Sequence, residues 1–408
     1  MRGPCHHARL MSTRVPSPHA DLFALDPRVT FLNHGSFGAC PKPVLAEQER
    51  WRARLERQPV QFMVRELEGL LDEARAVLAR FVGAEPEDVA FVPNATTGVN
   101  TVLRSLQFAA GDELLTTNHA YNACRNALWY VADRSGARVV TAEVPFPLAD
   151  PGEVRAAVLA AVTPRTRLAL LDHVTSPTGL VFPLAELVRA LAERGIDTLV
   201  DGAHAVGMLA LDVAAIGAAY YTGNCHKWLC APKTAGFLHV RRDLQPEIHP
   251  LAISHGARLS RRDRSRFLLE FDWTGTVDPT AYLSVPEAIR LLGAALPGGW
   301  PALREHNRGL ALRGRRAICD ALGVPIPAPD AMIGSLAAVP IADGSPTPPT
   351  SGLYCDPLQD ALRERAGIEV PITPWPAPPR RLVRISTALY NTAADAELLA
   401  GALATLSS

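Results

Sequence analysis

The chain has 408 residues, and its 41 Lys and Arg balance 41 Asp and Glu, so the formal net charge is zero. This balance does not favour nucleic-acid binding, which needs a basic face. The sequence has no apolar run long enough to predict a membrane span. Seven scattered cysteines without a Cys-x-x-Cys pair predict neither a disulfide framework nor a metal site, and a reducing cytoplasm is the expected location.

The chain is long enough for more than one domain. Residues 1–26 are polar and predict a flexible N-terminal arm, in which either Met1 or Met11 is the start. Residues 27–280 predict a large α/β domain, and residues 281–408 a small C-terminal α+β domain. We expect residues 27–60 to pack with the small domain.

Strands and helices alternate in the large domain. Short apolar segments predict strands at residues 89–92, 113–117, 137–142, 168–174, 196–201, 218–222 and 236–240. Helical spacing of apolar residues predicts helices at 65–82, from about 97, and at 121–134, 152–162 and 184–194. Apolar strands separated by helices predict a mostly parallel sheet that is covered on both faces.

The pattern changes after about residue 280. Helices are predicted near 280–293 and 301–321, followed by a strand at 336–341 and a Pro- and Ser-rich loop at 343–351. A helix at 357–366, strands at 368–372 and 382–387 and a last helix at 393–405 complete the small domain.

Lysine is rare in this chain, which contains only Lys42, Lys227 and Lys233. Lys227 follows a predicted buried strand and stands between His226 and Trp228. Partial desolvation lowers the pKa of a lysine and makes its neutral amine a nucleophile toward aldehydes. Lys227 is therefore the candidate nucleophile, and Lys233, six residues later, is the alternative. Lys42 lies between two prolines, a poor place for a buried catalytic group.

Three further signals are weak when each is taken alone. Residues 94–98, Asn-Ala-Thr-Thr-Gly, open a helix, where they predict either an anion site or an ordinary helix cap. Asp201 ends an apolar strand and could hold a cationic nitrogen or cap a helix. Arg384 lies in a C-terminal strand, and its guanidinium predicts either a carboxylate site or an ion pair between domains.

The order of these signals along the chain carries a resemblance. The chain resembles the fold-type I pyridoxal-phosphate enzymes of the class V aminotransferase family, and within it the isopenicillin N epimerase-like proteins. The likeness runs from about residue 30 to the end. The segments that carry it are residues 31–35, 94–98, 118–122, 172–179, 201–204, 226–228, 273–276 and 384–386. It implies a mostly parallel seven-stranded sheet, pyridoxal 5'-phosphate as the cofactor and a homodimer with shared active sites.

The resemblance also implies roles for individual residues. Lys227 would form the Schiff base with the cofactor and move the substrate Cα proton. Asp201 would pair with the pyridine nitrogen, and His204 and Ser176 would lie near the phenolic oxygen. The other residues implied in cofactor binding are Ala95, Thr96, Thr97, Asn224 and His226, with Thr276 reaching the phosphate from the partner subunit.

Two residues compete for one role at the cofactor ring. His119 occupies the usual ring-stacking position, but Tyr121 is close by and could stack or act as a second acid. Arg384 would bind the substrate α-carboxylate with the help of Asn33. Trp228, Arg258, Trp375 and Tyr390 are further candidates for the pocket lining.

The resemblance leaves several activities open. An epimerase or racemase would remove the Cα proton and return it on the opposite face. An aminotransferase or a C–S lyase acting by β-elimination is the alternative, and a cofactor-binding scaffold without turnover is a third hypothesis. Cysteine desulfurase activity is disfavoured because residues 372–379, where that activity needs a cysteine, contain none.

Overall fold

The computed structural model describes residues 16–347 and 356–406. Most of the predicted arm, residues 1–15 with both candidate start methionines, lies outside this range, as do residues 348–355 of the predicted loop. None of the helices in the described part is both long and apolar enough to cross a membrane.

A seven-stranded sheet forms the centre of the large domain. The first strand of the chain, β1 (Thr30–Phe31), lies outside this sheet. The members of the sheet are β2 (Val89–Val92), β3 (Glu113–Thr117), β4 (Arg138–Ala142), β5 (Thr166–Asp172), β6 (Asp197–Gly202), β7 (Tyr220–Asn224) and β8 (Gly236–Val240). Their spatial order is β2-β8-β7-β6-β5-β3-β4, and only β8 runs antiparallel to its neighbours in it. The prediction of a mostly parallel seven-stranded sheet is confirmed.

Nine α-helices precede or cover this sheet in the described part of the chain. They are α1 (His34–Phe37), α2 (Lys42–Arg57), α3 (Leu67–Val82), α4 (Ala95–Ser105), α5 (Asn122–Ser135), α6 (Gly152–Ala160), α7 (Leu184–Ala192), α8 (Val213–Ile216) and α9 (Arg266–Phe271). Six of them lie close to helices predicted from the sequence, one of which was predicted at 44–57, whereas α1, α8 and α9 were not predicted. Helix α4 begins two residues before the predicted start because Asn94 caps it, its side chain accepting a hydrogen bond from the Thr97 backbone N–H.

The C-terminal part contains a second, smaller sheet. Its strands are β9 (Leu336–Ile341), β11 (Ile372–Pro374) and β12 (Arg381–Ser386), all antiparallel, in the order β11-β12-β9. The helices of this part are α10 (Thr280–Leu283), α11 (Val285–Gly293), α12 (Gly299–Leu322), α13 (Pro357–Ala366) and α14 (Ala393–Leu406). The single strand predicted at 368–372 is instead two, because Ile368–Glu369, which is β10, pairs elsewhere.

The N-terminal segment joins the two parts. Strand β1 pairs in parallel with β10, with Thr30 opposite Ile368. Ser17 donates a hydrogen bond to the Leu389 carbonyl, and the buried Phe23 ring lies edge-on against Tyr390 at 4.9 Å. Residues 17–23 of the expected flexible arm thus pack against the C-terminal part. Burial of an aromatic side chain such as Phe23 stabilises this packing by about 1.5–3 kcal/mol. The division of the chain near residue 280 stays a prediction.

Candidate functional site

The carboxyl ends of the parallel strands meet at one edge of the large sheet, where a cavity of about 310 Å³ opens. Ligands of open α/β sheets bind at this edge. Strands β5 and β6 pair in parallel, and their register places Asp172 opposite Asp201 near the carboxyl ends of both strands. The turn that follows β7 brings His226 and Lys227 to the same cavity. Segments far apart in sequence therefore converge because each follows a parallel strand.

Four residues form what we call the floor of the cavity: Asp172, Asp201, His204 and Lys227. Asp201 accepts hydrogen bonds from the Ala203 backbone N–H at 2.9 Å and from the Cys124 thiol at 3.1 Å. These donors stabilise the charged form of Asp201. Burial, and then the charge of Asp201, raise the pKa of Asp172 well above its ordinary value. The floor thus combines a carboxyl group that accepts two hydrogen bonds, Asp201, with one whose neutral form is favoured, Asp172.

The hydrogen bonds of His204 favour the neutral form of the Lys227 amine. The Trp228 indole N–H donates to His204 Nδ1 at 3.3 Å, so Nδ1 is an acceptor and Nε2 of the neutral ring carries the proton. Nε2 lies 3.1 Å from Lys227 Nζ, which can accept this hydrogen bond only when the amine is neutral. Burial is the largest cause that lowers the pKa of Lys227 to about 8, followed by the charge of Arg384. The nucleophilic form of Lys227 is accessible near neutral pH.

The start of helix α4 forms what we call the phosphate end of the cavity, which consists of Asn94, Ala95, Thr96, Asn224 and His226. Asn224 accepts a hydrogen bond from the Ala95 backbone N–H at 2.8 Å, which ties the helix to β7. A helix N-terminus attracts an anion through its free N–H groups and its dipole. Thr97 does not line this cavity, and its hydroxyl donates a hydrogen bond to Asn94 Oδ1 at 3.1 Å.

Arg384 lies directly behind two serines that line the cavity. Its Nη1 donates to the Ser176 carbonyl at 2.6 Å and to the Ser176 hydroxyl at 3.2 Å, and its Nη2 to the Ser36 hydroxyl at 3.2 Å. Burial lowers the pKa of Arg384 to about 10, which leaves it charged at neutral pH. Asn33 does not line the cavity and instead accepts a hydrogen bond from Ser36.

His119 and Tyr121 lie in different environments in the structure. The His119 ring is fully buried outside the cavity, with Nδ1 2.7 Å from the Thr178 hydroxyl and Nε2 3.0 Å from the Val144 carbonyl. His119 therefore does not line the cavity in this structure, and its stacking on the cofactor ring stays a prediction. Tyr121 lines the cavity and keeps 46% of its surface exposed.

The remaining candidates do not line the cavity of their own chain. Thr276 is exposed and lies outside it, as expected of a residue assigned to a neighbouring subunit. Trp228 and Tyr390 lie behind the lining residues. Trp228 contacts His204, and Tyr390 contacts His34. Trp375 packs on the His119 ring with 4.7 Å between ring centroids. Arg258, the last of these candidates, also lies outside the cavity lining.

Several lining residues were given no role at the cofactor by the sequence analysis. They include Ser36 and Phe37 from α1, Asp172 from β5, and Thr234 from the loop before β8, together with Lys233, which was considered only as the alternative nucleophile. We call the exposed members of this set, together with Tyr121, the mouth of the cavity: Phe37, Tyr121, Lys233 and Thr234. A pattern for Asp172 did exist, since it directly follows a run of apolar residues as Asp201 does.

Comparison with known proteins supports the same reading of the whole chain. The family model described as aminotransferase class-V matches residues 41–399. An isopenicillin N epimerase from Amycolatopsis lactamdurans is 39% identical over 398 residues, covering 94% of this chain and 96% of that protein. A probable chloroplastic L-cysteine desulfhydrase from Arabidopsis thaliana is 32% identical over 401 residues, covering 93% and 83%.

A solved structure shares the fold. The complex of a cystine C–S lyase with its reaction product cysteine persulfide superposes with a TM-score of 0.74. It is 22% identical in sequence, and the match covers 92% of this chain and 97% of that one. At this identity the likeness establishes the fold alone, which is the architecture that the sequence predicted.

The groups in the cavity fit pyridoxal 5'-phosphate, the cofactor of this enzyme. The phosphate end would hold the phosphate, Asp201 the protonated pyridine nitrogen, and Lys227 the aldehyde carbon. The fit rests on observations within the chain itself: a neutral lysine amine, a doubly hydrogen-bonded carboxylate and a helix N-terminus all face one cavity. The chain belongs to the class V aminotransferase family.

Proposed function

We propose that this enzyme epimerises an amino acid or amino-acid-like substrate at its Cα atom. The observation that carries the proposal is that Tyr121 lines the same cavity as Lys227, while its hydroxyl makes no hydrogen bond among the described residues. Inversion needs one group to take the Cα proton and another to return a proton on the opposite face. The cavity offers a protic group for each task.

The bound cofactor withdraws electrons from the substrate and makes its Cα proton acidic. The neutral amine of Lys227 is suited to take this proton, because its pKa is lowered to about 8. Burial, and then the nearby Cys124 and Asp201, raise the pKa of the Tyr121 phenol. Tyr121 is therefore protonated at neutral pH and can donate a proton.

Arg384 supports the assignment of an amino-acid substrate. It is almost fully buried and charged, yet the structure gives it no carboxylate partner in the described part of the chain, and its Nε has no acceptor. A buried unpaired cation is costly, and a bound anion removes that cost. The α-carboxylate of an amino acid matches the fork of the guanidinium.

Desulfurase chemistry through a protein persulfide is not supported. Every cysteine that the structure describes is buried, and none lines the cavity; Cys5 and Cys355 lie outside the described residues. Burial raises the pKa of the Cys225 and Cys230 thiols, which flank Lys227, so they stay protonated. The loop at 372–379 instead carries Trp375, which packs against Phe146 with 5.4 Å between the ring centroids.

A C–S lyase acting by β-elimination is the second candidate. Relatives named L-cysteine desulfhydrase at about a third identity favour it. Elimination shares the removal of the Cα proton by Lys227, but it expels a sulfur group from Cβ and needs no second acid at Cα. Tyr121 therefore distinguishes the two candidates.

We also propose that the enzyme is a homodimer, in which Thr276 of one chain reaches the phosphate end of the other. We propose the cytoplasm as its location. Large apolar side chains that are more than half exposed support an interface: Val60, Val64, Ile253, Leu259 and Val277. Val277 directly follows Thr276. Sedimentation equilibrium tests the dimer, and a monomer that binds the cofactor with full affinity would contradict it.

The reaction is tested by incubating the cofactor-loaded enzyme with a panel of amino acids in deuterated water. Mass spectrometry follows deuterium at Cα, and chiral chromatography follows both enantiomers. Epimerisation predicts deuterium uptake with the amino group retained and both enantiomers present. Pyruvate and sulfide from cysteine would instead identify the lyase, and a keto acid without them the aminotransferase. Exchange with no enantiomer formed from any substrate would contradict the proposed epimerase.

A further inference from the structure

The phosphate end of the cavity lacks a full positive charge on the residues assigned to it so far. A phosphate monoester carries about −1.5 to −2 charges at pH 7, whereas a helix N-terminus supplies about half a positive charge. Burial, and then the charge of Lys227, lower the pKa of His226 to about 4, so its ring is neutral at pH 7. The other residues of the phosphate end are uncharged. A cation is needed from elsewhere.

The loop before β8 is attached to this end of the cavity. The Ala235 carbonyl lies 3.2 Å from both the backbone nitrogen and the ring Nδ1 of His226. Gly236 lies so close to the cap of helix α4 that an added Cβ atom would come within 3.0 Å of Asn94 Cα. The residues just before this contact, Lys233 and Thr234, line the cavity. The loop therefore brings a lysine to the phosphate end.

Lys233 has no anionic partner within the part of the chain that the structure describes. Its Nζ donates a hydrogen bond to the Gly38 carbonyl at 3.0 Å, which leaves further N–H groups free. The charge of Lys233 also contributes to lowering the pKa of His226, which indicates that the two side chains are neighbours. The other basic side chains at the cavity are held elsewhere, since Lys227 contacts His204 and Arg384 contacts Ser36 and Ser176.

The backbone of this loop is strained. Cys230 and Thr234 have φ angles of 56° and 71°, in the left-handed region that is unfavourable for a residue with a side chain. Strain of this kind persists where surrounding contacts hold the chain, and it is frequent at ligand sites. Here it flanks Lys233 on both sides, so the position of the lysine is defined by the fold.

We propose that Lys233 is the cation that binds the phosphate group of the cofactor, from the loop opposite the start of helix α4. Its ammonium keeps the hydrogen bond to Gly38 and adds a charge-assisted hydrogen bond to a phosphate oxygen. Lys227 and Lys233 thus divide the work of binding one cofactor: one reacts with the aldehyde end, the other neutralises the phosphate end. The proposal rests on the cofactor and is independent of which reaction the enzyme catalyses.

The test compares two ligands that share the aldehyde and differ only in the phosphate: pyridoxal 5'-phosphate and pyridoxal. Dissociation constants are measured by absorbance titration of the apoenzyme, for the wild type and Lys233→Gln. Gln keeps a donor for Gly38 but removes the charge. We expect the dissociation constant for pyridoxal 5'-phosphate to rise about tenfold and that for pyridoxal to stay within about twofold. Lys233→Arg is expected to bind both ligands as the wild type does.

The matched control is Lys42→Gln, which removes the charge of the exposed third lysine and should change neither constant. Circular dichroism melting of each apoenzyme checks folding, and Lys233→Met serves as a second neutral variant if Lys233→Gln does not fold. Equal weakening for both ligands, or no weakening for either, would overturn the proposal. So would unchanged cofactor binding with a higher KM for anionic substrates, which would assign Lys233 to the substrate.

Discussion

The floor and the mouth of the cavity are built in opposite ways. On the floor, Asp201 and His204 are buried and each is held by more than one hydrogen bond, and Lys227 contacts His204. At the mouth, Tyr121 is half exposed with an unpartnered hydroxyl, and Lys233 is held by a single carbonyl. This difference indicates that the buried, hydrogen-bonded floor residues carry the chemistry that all reactions of the cofactor share. The outcome specific to this enzyme depends on exposed groups that remain free to act.

The largest effect is expected from removing the amine on the floor. Lys227→Ala should lower the rate of Cα deuterium exchange by at least about 10³-fold, since it removes both the nucleophile and the base. Exchange is measured by mass spectrometry in deuterated water. Lys42→Ala is the control and should exchange as the wild type does. Persistent exchange in Lys227→Ala would show that Lys227 is not the base.

The two floor carboxyls are expected to differ sharply. Asp201→Asn should lower the exchange rate about 10²-fold, because the pyridine nitrogen loses its anionic partner. Asp172→Asn is the matched control on the neighbouring strand. The pKa of Asp172 is raised by burial and by Asp201, so the acid is already neutral and an amide changes no charge. If both variants lost the same fraction of the Cα exchange rate in this assay, the different roles assigned to Asp201 and Asp172 would be wrong.

The pH dependence of cofactor uptake tests the state of Lys227. Its pKa is lowered to about 8 from the ordinary value of 10.5, so the neutral amine becomes dominant above about pH 8. The rate at which apoenzyme takes up the cofactor, followed by absorbance, should rise up to about pH 8 and then level off. A rate that continues to rise toward pH 10 would indicate an ordinary solvated lysine.

The smallest effect is expected from the thiol beneath Asp201. Cys124→Ala removes a neutral donor to Asp201 but leaves the Ala203 N–H in place. We expect the free energy of unfolding of the apoenzyme to fall by about 1 kcal/mol, measured by urea denaturation, with the cofactor still bound. Loss of cofactor binding in this variant would mean that the floor depends on Cys124 far more than a single neutral hydrogen bond allows.

Much of the fold could be predicted because short apolar strands leave a strong signal. Strand β8 was predicted with its observed bounds, and β2 and β3 likewise. The strand predicted at 218–222 lies two residues later, at Tyr220–Asn224, because pairing with β6 and β8 sets its register. Pairing between distant segments, such as β1 with β10, has no local signal in either segment.

On the floor, Asp201, His204 and Lys227 were singled out from the sequence but Asp172 was missed, whereas at the mouth Phe37 and Thr234 were missed. Asp201 and Lys227 follow buried strands, so their burial could be inferred from their neighbours in sequence. His119 and Tyr121 stand two residues apart in one turn, and the direction of the His119 side chain depends on Thr178 and Val144, which are distant in sequence. Lys233 was considered only as a rival nucleophile, because nothing local shows that its loop returns to helix α4.

The central claim is that Lys227 and Tyr121 act on opposite faces of Cα, and Tyr121→Phe tests it most directly. Phe keeps the ring and removes only the hydroxyl. Tyr130→Phe is the matched control, since Tyr130 is also 46% exposed and lies outside the cavity lining. The account predicts that Tyr121→Phe keeps Cα deuterium exchange within about threefold while formation of the opposite enantiomer falls about 10²-fold. Inversion at the wild-type rate in Tyr121→Phe would contradict it.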